Sequence, residues 1–169
     1  MTPLAERKPP TGALRLLLRL PVYLYRAGLG SLLSSRFLLL THRGRKTGLP
    51  RQTVVEVVSH DRASGTYYIA SGWGEKAHWF RNVQQTPEVT VQVGRRRFVA
   101  TAERLRVDAA RKVLLAYAQH HPVAFRALAK AMTGRRFPQK DEDWAKLVQA
   151  IPVLALKRYS GAALDTGSK

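Results

Sequence analysis

The chain contains no cysteine among its 169 residues. Disulfides, zinc–thiolate sites and a cysteine nucleophile are therefore excluded, and the absence fits a reducing cytoplasm. Histidine is scarce as well, with five in all, at positions 42, 60, 78, 120 and 121. None are spaced His-x-His or His-x-x-x-His, and the adjacent His120 and His121 diverge on a helix, so no metal is expected. Acidic residues are few: 11 Asp and Glu face 29 Lys and Arg, a formal charge of +18. A field of that size attracts nucleic acid, anionic lipid or a polyanionic small molecule, or it serves solubility alone; composition does not choose among them.

No long hydrophobic run is uninterrupted. Residues 14–33 are rich in leucine, but Arg15, Arg19 and Arg26 lie inside the stretch and Pro21 breaks it. A spanning helix needs roughly 20 mostly uncharged apolar residues. The stretch also lacks a small-x-small cleavage pattern, so it does not read as a signal peptide. Two readings remain: an amphipathic helix packed on the domain, or one lying on anionic lipid with its arginines at the headgroups.

A hydrophobic content of 45% suits a globular domain with a real core. Residues 1–12, with Pro3, Pro9, Pro10 and Gly12, read as a flexible tail, and 13–169 as a single domain. A broken helix is expected over about 13–33. Phe37–Thr41 is a short apolar run suited to a buried strand. Valine-rich Gln52–Ser59 and tyrosine-bearing Thr66–Ser71 read as strands joined by a turn at His60–Gly65. Ala77–Gln85 reads as a short helix stopped before Pro87. Glu88–Gly94 and Arg97–Leu105 alternate cleanly and form the clearest hairpin in the sequence.

Asp108 is the expected N-cap of a helix carrying Ala110, Val113, Leu114 and Tyr117 on one face. Pro122 restarts a helix with Val123, Phe125, Leu128, Ala129 and Met132 as its apolar set. Residues 134–140 form a basic loop, Asp141 caps a last short helix through Trp144, Leu147 and Val148, and Pro152–Arg158 is a final strand. The expected class is α+β: six strands in a small antiparallel barrel, with an N-terminal helix and flanking C-terminal helices.

The most informative stretch is Leu39-Leu-Thr-His-Arg-Gly-Arg-Lys-Thr-Gly-Leu-Pro-Arg51. An apolar run ends in a glycine-bounded loop carrying Arg43, Arg45, Lys46 and Arg51. Gly44 and Gly48 give it backbone freedom and exposed N–H groups, and Thr47 adds a hydroxyl. Such a loop holds a phosphate or carboxylate with Arg forks, a Lys point charge and main-chain donors together; an ordinary basic hairpin turn is the plainer account. Downstream lie Ala70-Ser-Gly-Trp-Gly74, Trp79-Phe-Arg-Asn82 and Pro87-Glu-Val-Thr-Val-Gln-Val-Gly94.

In order and spacing these segments resemble the deazaflavin-dependent nitroreductase family, over about residues 35–158. That resemblance implies a split β-barrel oxidoreductase using the deazaflavin coenzyme F420, which carries a phosphodiester and a tail of γ-linked glutamates. It implies that Arg45, Lys46, Thr47 and Arg51 bind the phosphate and tail, with Gly44 and Gly48 shaping the loop. It places Ser71, Gly72, Trp73 and Gly74 beside the deazaflavin ring, with Ser71 bonding to ring or substrate and relaying a proton. Trp79 and Asn82 are further cofactor contacts on this comparison, although Trp79 also suits the core and Asn82 a polar brace. Tyr117 and Phe125 are candidates to line the substrate pocket, and His121 to donate a proton. The segment between Ser71 and Trp79 is shorter than the family's longer form, and the tyrosine cluster of its best-known nitroreductases is missing.

The implied reaction is hydride transfer between F420 and an unsaturated acceptor: an enone, a quinone-like compound or a nitro compound. An FMN-binding split-barrel oxidoreductase is the nearest alternative. A non-catalytic basic protein docking on nucleic acid or membrane is the other, motivated by Arg95–Arg97, Arg135–Arg136 and residues 13–33. No nucleic-acid motif accompanies those charges, and Arg95–Arg97 falls at a hairpin tip where solvated charge is usual. A cytoplasmic monomer or homodimer is expected, with peripheral contact to an anionic membrane left open.

Overall fold

The computed structural model describes Val22, Tyr23, Tyr25, Ala27, residues 36–133 and residues 141–159, with the side chains of 127, 128, 131–133, 141 and 142 left aside. Six strands close into a barrel: β1 (Phe37–Arg43), β2 (Pro50–Asp61), β3 (Thr66–Ala70), β4 (Glu88–Val93), β5 (Arg96–Arg104) and β6 (Val153–Arg158). Their order around it is β1-β2-β3-β6-β5-β4, every neighbouring pair antiparallel. Helix α1 (His78–Gln85) lies between β3 and β4. Helices α2 (Val107–His120), α3 (Pro122–Thr133) and α4 (Asp141–Ala150) lie between β5 and β6. The six-stranded α+β barrel expected from the sequence is thus the fold observed.

Strand alternation sorts the core. Leu38, Leu40, Val55, Ile69, Val89, Val91, Ala100, Leu154 and Leu156 fill the barrel, joined by Ala77, Phe80 and Val83 from α1 and its entry. Residues turned outward from β2, β3 and β6 meet a helical layer instead: Val58, Tyr68 and Val153 pack with Leu114, Tyr117, Phe125, Trp144 and Leu147. Val58 lies at a register shift between Val57 and Ser59, which breaks the pairing of β2 with β3. Leu39 also faces outward, where Val22 and Tyr25 cover it, and the Tyr25 hydroxyl donates to the carbonyl of Phe37 at 2.7 Å.

Those contacts put the described part of the N-terminal stretch on the barrel wall, because β1 is apolar on both faces. The expectations for the rest of 13–33, the 1–12 tail and the 134–140 loop lie outside the described residues. No described helix is long and apolar enough to cross a membrane.

Three local expectations need correction. Asp108 does not cap α2: the helix starts at Val107, Arg106 holds the cap position without a side-chain bond, and Asp108 sits in the first turn. There its charge still suits the positive end of the helix. Asp141 likewise is the first residue of α4, not its cap. Val123 is 77% exposed, because the buried face of α3 runs through Phe125 and Ala129 at i, i+4, and position 123 points elsewhere.

Candidate functional site

Strict antiparallel alternation around a closed barrel places the ends of β1, β3 and β5 and the starts of β2, β4 and β6 at one rim. The basic loop between β1 and β2, the Ser71–Gly74 turn and α1 therefore share that rim. The β2–β3 and β4–β5 turns, the latter beside Arg95, occupy the opposite one. Three segments scattered along the sequence are gathered by topology alone.

The loop is a self-bonded turn. Gly44 N–H donates to the Leu49 carbonyl at 2.9 Å, Thr47 and Gly48 N–H donate to the Gly44 carbonyl at 3.1 and 2.7 Å, and Leu49 N–H reaches the Thr47 hydroxyl at 3.4 Å. Gly48 closes it at φ +66°, the left-handed conformation that disfavours a side chain. Lys46, Thr47 and Arg51 are exposed and Arg45 is half-buried. None of Arg43, Arg45, Lys46 or Arg51 has a salt-bridge partner among the described residues.

Asn82 ties this loop to α1. Its Oδ1 accepts both the backbone N–H and the Nη1 of Arg45, each at 3.1 Å, and its Nδ2 lies 3.2 Å from Nδ1 of His42. Asn82 and His42 are both buried. Burial drives the pKa of His42 below its ordinary value; a hydrogen bond with the Arg43 backbone opposes this, and the nearby Arg51 cation adds to it. Beside this pair opens a cleft of about 220 Å³ lined by Thr41, His42, Arg43, Gly48, Pro50, Glu88, Val89 and Thr90.

Sequence reasoning placed Asn82 as a brace or a contact, and the brace is what the geometry displays. It did not single out His42. The signal was present, since a histidine in an alternating strand ending at a cationic loop has its side chain on the barrel-facing side.

The Ser71–Gly74 turn is built inward. Ser71 is fully buried, its hydroxyl donates to the Gly74 carbonyl at 2.7 Å, and its N–H donates to the Pro152 carbonyl at 3.0 Å. This corrects the expectation of a hydroxyl offered to ring or substrate: its proton is committed to closing the turn. Gly74 has φ +55° and approaches α4, so its lack of a Cβ serves packing; Gly72 has open space around it.

Trp73 and Trp79 are half-buried against the barrel core, and Trp79 meets Phe80 edge-on at 5.9 Å. Arg104, on β5, bridges to Glu75 at 2.5 Å and lies 5.8 Å from the Phe80 ring, while Arg81 Nε donates to the Glu75 carbonyl at 2.9 Å. These contacts fasten the segment between Ser71 and α1.

Tyr117 and Phe125 are corrected too. They are 3% and 0% exposed and do not line the cleft, because Tyr117 faces the barrel from α2 and Phe125 packs from α3 against Tyr117 and Trp144 within the helical layer. The Tyr117 hydroxyl donates to Glu56 Oε1 at 2.8 Å, and Arg36 bridges the same oxygen at 2.8 Å. Burial, then the Glu56 carboxylate, pushes the Tyr117 phenol up to about 12. Glu56 is five residues along β2 from Arg51, about 17 Å at 3.4 Å per residue. His121 is exposed at the end of α2, with its ring 5.2 Å from that of Tyr117. No group of three His, Cys, Asp or Glu among the described residues could hold a metal.

A closed six-stranded antiparallel barrel of this topology, with helices packed on its wall, defines a split-barrel protein. Solved structures align on that fold. One is a pyridoxamine 5'-phosphate oxidase-related, FMN-binding protein from Nostoc punctiforme, with TM-score 0.53 and 12% identity over 89% of this chain and 83% of its own. A domain-swapped dimer aligns at TM-score 0.52 and 17% identity, covering 86% and 100%. An F420-H2 dependent reductase (FDR-A) aligns at TM-score 0.48 and 21% identity, covering 73% and 96%. No curated protein matches the chain by sequence. The family model of F420H(2)-dependent quinone reductase matches residues 18–141, and the chain belongs to that family. It is accordingly an oxidoreductase that uses coenzyme F420, and the alternative reading with FMN takes second place.

Proposed function

We propose that this protein reduces a quinone-type acceptor, holding the anionic part of F420 at the basic loop. The observation that carries the proposal is the loop itself: Arg43 lines the cleft, Arg45, Lys46 and Arg51 stand on the same loop and its exit, none of the four has an acidic salt-bridge partner among the described residues, and Arg45 is already fastened by Asn82. That donor set fits a phosphodiester and carboxylates, which take Arg forks and a Lys charge, and the exposed Thr47 hydroxyl adds a donor. The choice of a quinone over an enone or a nitro compound rests on the family's description. The missing tyrosine cluster also argues against a nitroimidazole.

When bound, reduced F420 supplies a hydride from its deazaflavin C5. This chain's part is then to hold and orient. Arg45, Lys46, Thr47 and Arg51 bind anionic oxygens, with Gly44 and Gly48 setting the loop's shape. Of the turn Ser71–Gly74 and the helix after it, Gly72, Trp73 and Trp79 keep partial exposure and offer the apolar surface at the same rim, while Ser71 and Gly74 hold the turn in shape from below. The proton that completes reduction comes from water, since the Ser71 hydroxyl is already donated and His121 stands beside Tyr117, away from this rim. Arg43, the one loop cation left over, lines the cleft and can offset negative charge that develops on the acceptor.

The test is direct. The purified protein is titrated with reduced and oxidised F420 and with FMN, then mixed with menadione, cyclohexenone and a nitroimidazole while deazaflavin absorbance is followed. Fast turnover with the quinone and slow turnover with the others is expected. Preference for FMN, or negligible F420 binding, would overturn the reading.

A further inference from the structure

His42 is buried at the cleft and has no part in the chemistry above. We infer that it is a positioning residue for the basic loop, holding Asn82 in the one orientation whose amide oxygen can fasten Arg45. The inference deepens the cofactor proposal and rests on it. An amide presents one oxygen and one NH2 group. The backbone N–H and the guanidinium of Arg45 are donors only, so the oxygen must face them and the NH2 must face His42. His42 Nδ1 is then an acceptor and the ring is neutral, with its proton on Nε2.

A second proton on His42 leaves no arrangement that works. Kept in place, Asn82 Nδ2 would meet an Nδ1–H; turned over, its NH2 would meet the Arg45 donors. Either way the clamp on Arg45 fails. Burial and the nearby cations also oppose that proton, against a hydrogen bond with the Arg43 backbone that favours it. Arg43 and Arg45 come from the loop, and β2 brings Arg51, the register partner of His42. Against them, β4 brings Glu88 to the same cleft. Helix α1 brings Asn82; its His78 and Arg81 are exposed, and Arg81 is bonded to the Glu75 carbonyl.

The sign of the effect is diagnostic. An added positive charge beside an anion site ordinarily tightens anion binding. Through this relay it loosens it, because Arg45 loses its anchor.

The experiment measures F420 affinity by fluorescence from pH 8 to pH 5 for the wild type, His42→Gln and His42→Leu. Each profile is compared with that of His42→Gln, so that titration of the coenzyme itself cancels. His42→Leu removes the acceptor and is expected to weaken binding about 10-fold at pH 7.5, whereas His42→Gln, whose side-chain oxygen can accept from Asn82, stays within about twofold. Below pH 6.5 the wild type is expected to lose about fivefold or more relative to His42→Gln. Nitrogen NMR of the ligand-free wild type should show the Nε2–H tautomer.

Wild-type affinity for His42→Leu overturns the inference. So does binding by the wild type that tightens in acid relative to His42→Gln, or an Nδ1-protonated ring at neutral pH. Absence of any F420 binding by the wild type would instead remove the cofactor reading, and the tautomer would still decide the relay.

Discussion

Gly74 stands so close to the end of the last helix that a Cβ built on it would lie 2.8 Å from the carbonyl oxygen of Ala150. The turn after β3 is therefore seated on α4 by bare backbone, and Ser71 locks it from the other side through the Gly74 carbonyl. Two residues that read as ring contacts in the sequence are thus committed to joining barrel and helical layer.

Gly74→Ala combines a positive φ with a clash against main chain that cannot rotate away. A loss of about 3 kcal/mol is expected in urea or thermal unfolding. An unchanged midpoint would mean that the turn and α4 separate freely.

Ser71→Ala leaves the Gly74 carbonyl buried without its donor, which should cost about 1–2 kcal/mol of stability. The rate of acceptor reduction, measured on folded protein with saturating F420, should change by less than about threefold, below the effect of removing a general acid. A hundredfold drop in kcat with little loss of stability would return the hydroxyl to proton transfer.

Lys46→Ala and Arg51→Ala remove exposed cations, so stability should stay within about 0.5 kcal/mol. Each should weaken F420 binding about fivefold at low ionic strength and flatten its salt dependence, since a surface charge acts through a screened field. Arg95→Ala, at the opposite rim, is the control and should alter neither. Equal losses at all three positions would indicate a diffuse field in place of a site.

Tyr117 has a folded pKa of about 12, raised above its unfolded value near 10. The unfolded chain therefore gives up the phenolic proton first, and the contribution of Tyr117 to stability is complete below pH 10 and lost as pH rises toward 12. Unfolding of the wild type should show this alkaline loss, and its excess over Tyr117→Phe isolates the phenol. Parallel profiles for the two proteins would mean that the Tyr117–Glu56 hydrogen bond does not persist in solution.

Much of the barrel was legible because strands write their exposure with period two. Val89 and Val91 alternate with Thr90 and Gln92, and Ala100 and Ala102 with Thr101 and Glu103, and both strands fall within one or two residues of expectation. Helix starts were less legible. Asp108 and Asp141 are favourable both as caps and one or two positions later, so composition does not fix the boundary. Tyr117 and Phe125 show the other limit: an aromatic on an apolar helix face looks the same whether that face meets a pocket or a packed sheet.

By itself the sequence determined the barrel, its hairpins and the presence of an anion-seeking loop, because alternation, turn residues and local charge are properties of neighbours along the chain. The tertiary structure alone decided which side chains act together. Asn82 reaches back across 37 positions to Arg45 and 40 to His42, and Gly74 meets Ala150. Such partnerships depend on barrel closure, which brings the rim segments together in space and leaves no mark in the local pattern of any one of them.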